Sequence, residues 1–156
     1  MSMSCRRIAA LLLAASSTSA LADDWRTMKE ESISLSYGTQ TGAKLEIFCD
    51  KDSQVVVPEP GHVKPSGTVT FSYVVDGKTK TLRLDTEICG SDGLTCTDRK
   101  DGEVSAYKKT IPGKKLALAW AEKATSFSVK GPTIELTMKP NKAVFATFAA
   151  ACKTWK

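Results

Sequence analysis

Residues 68–84, "TVTFSYVVDGKTKTLRL", carry the strongest fold signal in the chain. Val69, Phe71 and Tyr73 alternate with Thr70 and Ser72, the period-two pattern of a half-buried strand. A second alternating run carries Leu82 and Leu84. Between them stands Asp76-Gly77, a dipeptide that supplies the positive φ angles of a two-residue hairpin turn. The stretch therefore predicts two antiparallel strands, with Leu82 and Leu84 packing across from Val69, Phe71 and Tyr73.

On either side of the hairpin the same pattern recurs. "ISLSY" (33–37) and "AKLEIFC" (43–49) alternate apolar with polar residues, and "QVVVP" (54–58) is a β-branched run stopped by Pro58. "TSFSVKG" (125–131) and "TIELTM" (133–138) make another strand pair around Gly131-Pro132. "KLALAW" (115–120) alternates as well and is expected to be a strand, whereas "EVSAYKK" (103–109) is expected to form a short helix ended by Pro112-Gly113. At the end of the chain the period changes. "NKAVFATFAAACKTW" (141–155) places Val144, Phe145, Phe148, Ala149 and Cys152 at helical spacing, with Asn141 as N-cap. The expectation is a mainly β domain: an antiparallel β-sandwich or partly open barrel, closed by a C-terminal α-helix and stapled by disulfides.

The first 22 residues read differently. Arg6 and Arg7 precede the apolar run from Ile8 to Ala15, and small residues follow to Ala20-Leu21-Ala22. A charged start, a short apolar stretch and an A-x-A site make a secretory signal peptide, with cleavage expected after Ala22. The apolar run is far shorter than the roughly 20 residues a membrane-spanning helix needs. Residues 23–156 then form one mature domain without a transmembrane segment, periplasmic or secreted. Loss of Arg6 and Arg7 lowers the formal net charge from +5 to +3. That balance gives no argument for nucleic acid.

Cys5 leaves with the leader, so four cysteines remain: Cys49, Cys89, Cys96 and Cys152. An even count in an exported chain reads as a disulfide framework. Three pairings are formally open. Gly90 and Gly93 let "CGSDGLTC" (89–96) fold back on itself, which favours Cys89–Cys96 and leaves Cys49 to join Cys152. The spacing is too long for a structural zinc pair, and His62 is the single histidine. Arg99 and Lys100 interrupt the acids that follow, so the alternating ligands of a calcium loop are absent as well.

No nucleophile–base constellation stands out, and neither a metalloprotease helix nor a phosphate-cradling loop occurs. The expectation is a non-enzymatic protein without cofactor or metal. Two stretches are candidates for contact: the loop Glu59, Pro60, Gly61 and His62, and a basic patch of Lys108, Lys109, Lys114 and Lys115. The first would enter a partner's cleft, and the second would attract a protein or an anionic envelope polymer.

The succession "SGTVTFSYVVDGKTKTL", "CGSDGLTC", "AYKKTIPGKKLALAW" and "TIELTMKPNKAVFATFAAAC" resembles the bacterial invasion-associated locus B family over roughly residues 55–152. It departs from that family in having no cysteine close behind Trp25. The layout is also similar to small exported accessory proteins of type VI secretion loci. The resemblance implies an exported, β-rich, non-enzymatic protein engaged in host or envelope interaction. The alternative is an inhibitor or immunity protein acting on a lysozyme, a protease or a secreted toxin.

Overall fold

The computed structural model describes residues 22–61, 63–90 and 98–156. Residues 1–21 of the expected signal peptide, His62 and Cys96 lie outside the described residues. Among the described residues nine strands and two helices follow one another: β1 (Asp24–Lys29), β2 (Ile33–Thr39), β3 (Gly42–Cys49), β4 (Ser53–Pro58), β5 (Val69–Val75), β6 (Lys78–Ile88), β7 (Val104–Ile111), α1 (Lys115–Lys123), β8 (Ala124–Lys130), β9 (Glu135–Met138) and α2 (Lys142–Thr154).

All nine strands join one antiparallel sheet in the order β1-β2-β3-β4-β7-β6-β5-β8-β9. The sheet is not flat. Strand β6 pairs with β5 through Lys78–Leu84 and with β7 through Asp85–Ile88, with a register shift between Glu87 and Ile88. A strand that passes from one neighbour to another turns a corner. The sheet curls into a half-barrel around α1 and α2, so the architecture is the partly open barrel and not two separate layers.

The β5–β6 hairpin forms as its residues dictate. Asp76 (φ 52°) and Gly77 (φ 70°) both adopt the left-handed region. Val75 then faces Lys78, Phe71 faces Leu82 and Val69 faces Leu84. Asn141 caps α2, its side-chain oxygen accepting from the Val144 N–H at 3.3 Å. The inner faces meet in an aromatic chain. Trp25 lies edge-on to Phe145 (4.9 Å between centroids) and against Phe127 (5.7 Å), Phe127 stacks on Phe71 (5.7 Å), and Phe71 meets Trp120 edge-on (5.4 Å). Such pairs add to the hydrophobic gain of burying large rings.

Two expectations are corrected. Residues 104–111 are strand β7, not a helix. They fill the centre of the sheet between β4 and β6, where two ladders of backbone bonds outweigh any local helical preference. Residues 115–123 are helix α1, not a strand. Ala and Leu favour a helix, and the helix turns Ala117 and Trp120 together into the core, both fully buried. Its N-terminus is closed from outside: Ser53 on β4 accepts the Ala117 N–H at 2.9 Å and donates to the Gly113 carbonyl at 2.7 Å.

The staple between front and tail is present. Cys49, at the end of β3, is bonded to Cys152 in α2 across 103 residues, with Cα atoms 5.7 Å apart. Cys89 is also disulfide-bonded. It is buried just after the end of β6.

Candidate functional site

The four candidate lysines do not form one free patch. Lys108 pairs with Glu87 at 3.6 Å and Lys109 with Asp85 at 3.1 Å, both along the β6–β7 ladder. Lys114 turns the other way. Its ammonium donates to the carbonyls of Cys152 and Trp155 at the end of α2, where the helix dipole favours a cation. Lys115 is exposed in the first turn of α1.

The loop after β4 is anchored at its start. Glu59 continues the ladder, its N–H donating to the Ser105 carbonyl at 3.1 Å. The Arg99 guanidinium donates to the main-chain carbonyls of Glu59 and Val104, clamping the loop onto β7. Glu59 is only 5 % exposed. Its carboxylate accepts the Thr133 hydroxyl at 3.1 Å, and it makes no ion pair among the described residues. Pro60 is exposed and Gly61 half-buried, and the loop continues through an exposed run from Lys64 to Thr68.

Glu59 belongs to a cleft of about 430 Å³ at the mouth of the half-barrel. One wall is the β2–β3 hairpin (Thr39, Gly42, Ala43, Lys44). The floor is the end of β4 and its loop (Val57, Pro58, Glu59, Pro60). The other wall is the start of β9 and the turn before it (Thr133, Ile134, Glu135, Leu136). Gly38 keeps the hairpin wall tight: with φ 149°, a Cβ there would lie 2.3 Å from the Gly42 carbonyl oxygen. Val57, Ile134 and Leu136 are apolar, whereas Glu59 and Glu135 bring two carboxylates. The one lysine, Lys44, is tied to Asp23 at 2.5 Å. The cleft is thus apolar with an acidic bias, on a chain whose formal net charge is +5.

Beside it, burial pushes the Tyr107 phenol above its ordinary value, and the negative charge of Glu59 pushes it the same way. On the outer face of the sheet, Glu46 stands opposite Ser36 and Val56. Partial burial raises its carboxyl. A second hollow lies between the helices, bordered by Lys123, Lys142 and Lys153 and floored by Phe145 and Ala149. Lys153 is paired with Glu122, and every charged residue of that border is exposed.

Among the described residues no group of three or more His, Cys, Asp or Glu side chains is arranged to hold a metal ion. No helix among them is long and apolar enough to cross a membrane. Of the candidate residues, the cleft gathers Glu59 and Pro60, while the lysines stand elsewhere. Thr133, Ile134, Glu135 and Leu136 carried no local signal, because only the topology brings β9 opposite the β2–β3 hairpin. Comparison with family models, curated proteins and solved structures gives no match.

Proposed function

We propose that this chain is an exported, non-enzymatic interaction protein of the bacterial envelope and that the cleft between β9 and the β2–β3 hairpin is its contact face. One observation carries the reading: an apolar wall of Val57, Ile134 and Leu136 meets a buried carboxylate, Glu59, in a concave site. Apolar pockets with a few fixed polar groups are the usual form of a recognition site. Rigidity supports the same reading, since the Arg99 guanidinium holds the Glu59 end of the floor to β7. The resemblance to invasion-associated proteins supports placing that interaction at the host or cell surface.

The test is crosslinking of the mature, oxidised protein in intact producing cells, beside a Leu136→Lys variant of unchanged circular dichroism. A discrete adduct formed by the parent and lost in the variant is expected. An adduct that forms equally in both overturns the cleft as contact face.

A second reading draws on the exposed run from Lys64 to Thr68. An exposed loop on a stapled scaffold suits an inhibitor that enters an enzyme's cleft. Loss of lysozyme or protease activity on adding the mature protein would favour it.

A further inference from the structure

The half-barrel has two sheet edges, and they are treated differently. Along β1 side chains tie the edge to its surroundings: the Asp24 side chain accepts the Trp25 N–H at 2.7 Å, the Trp25 indole donates to the Lys139 carbonyl just past the last strand, and the Thr27 hydroxyl donates to the Val144 carbonyl of α2. Beyond the Trp25 bond to Lys139 at its far end, the edge of β9 from Glu135 to Thr137 has no such cover among the described residues. The Gly131 N–H donates to the Ile134 carbonyl at 2.8 Å, so residues 131 and 134 are a hydrogen-bonded pair. Opposed residues in an antiparallel ladder alternate between bonded and non-bonded pairs. Lys130–Glu135 and Ser128–Thr137 are consequently non-bonded pairs. The N–H and C=O groups of Glu135 and Thr137 point away from β8, and no backbone partner meets them among the described residues.

The cleft takes none of its walls from β8 and lies along the start of β9. We propose that it binds an extended, basic peptide segment, which adds to the free edge of β9 as a further strand. This rests on the reading of the cleft as the contact face. Strand addition uses main-chain hydrogen bonds for affinity and alternate side-chain pockets for specificity, and both are in place. Glu135 and Thr137 offer the backbone groups. Val57, Ile134 and Leu136 receive an apolar side chain of the guest. Glu59 and Glu135 select a lysine or arginine next to it, because Lys44 is already neutralised by Asp23. The four residues of β9 match a guest of about four residues, or about 13 Å of extended chain.

The test is selection of a displayed library of random linear peptides on the mature, oxidised full chain. Enriched peptides should alternate apolar residues with lysine or arginine and should slow solvent exchange of the Glu135 and Thr137 amides. N-methylation of the guest's alternate amides should weaken binding about tenfold or more, the loss of one or two well-made hydrogen bonds. Glu135→Gln, at an exposed position that leaves folding intact, should weaken it several-fold, as should Glu59→Gln. Peptides that shift the Ile134 and Leu136 methyl resonances yet tolerate N-methylation would overturn strand addition and leave the cleft standing. Strand addition falls in the same way if no peptide is enriched while Leu136→Lys still abolishes the cellular adduct. No enrichment together with an adduct indifferent to Leu136→Lys would sink both.

Discussion

The Ser53 hydroxyl, on β4, receives the N–H of Ala117 in the first turn of α1, 64 residues further along the chain, at 2.9 Å. Ser53 is fully buried, and the residue at the helix's own cap position, Lys114, makes no side-chain cap. A strand thus supplies the cap that the helix lacks. Ser53→Ala leaves the Ala117 N–H without its partner in a buried site, while the Gly113 carbonyl it also releases belongs to an exposed residue. The expected cost is about 1–3 kcal/mol, the penalty for a buried orphaned group. A shift of the denaturation midpoint at unchanged slope measures it.

The Cys49–Cys152 bond closes a loop of 103 residues. In the chain-entropy account such a loop stabilises by about 4.7 kcal/mol, with typical values of about 2–4. The double variant Cys49→Ala, Cys152→Ala should lose stability in that range in urea. Its loss should exceed that of Asn141→Ala, where removing one cap costs about 1 kcal/mol. Equal losses would mean the unfolded chain is held together in another way.

Partial burial raises the Glu46 carboxyl above its ordinary value. Folding therefore favours its protonated form, and that contribution is present below the unfolded value and lost as pH rises through the folded one. Glu46→Gln should raise stability at neutral pH and have little effect in acid below the carboxylate range. Denaturant midpoints of parent and variant at the two pH values check the sign. A variant less stable at neutral pH would show that the carboxylate makes a favourable contact.

Tyr107 titrates late for two reasons, burial first and the Glu59 charge second. Its phenol stays neutral in the folded state at pH values where the unfolded chain ionises. Stability should therefore fall as pH rises above the ordinary phenol value near 10. Tyr107→Phe should flatten that alkaline fall. Glu59→Gln should remove only the smaller part of the delay in phenolate absorbance.

The elements whose information is local were legible in the sequence. Asp76-Gly77 fixes its hairpin because both residues accept positive φ, and Asn141 marks the start of α2 because its oxygen reaches three residues ahead. The two corrected elements share a physical cause. Leu116, Leu118 and Trp120 alternate as a strand would, but Ser53 and the burial of Trp120 make 115–123 a helix. Val104 to Ile111 look helical beside Pro112-Gly113, but two neighbouring strands claim their backbone. The cleft was half legible. Glu59 and Pro60 mark a loop by composition, whereas Ile134 and Leu136 become its wall only when β8 carries β9 to the end of the sheet.

If the chain works through the cleft between β9 and the β2–β3 hairpin, a reactive group in that cleft should meet the partner first. A photo-reactive side chain is placed at position 136, in the cleft wall, and in a second protein at position 80, on the exposed part of β6 away from the cleft. Irradiation of intact producing cells should give a discrete adduct from position 136 and none from position 80. An adduct from position 80 alone would contradict the account and move the contact face to the β5–β6 hairpin.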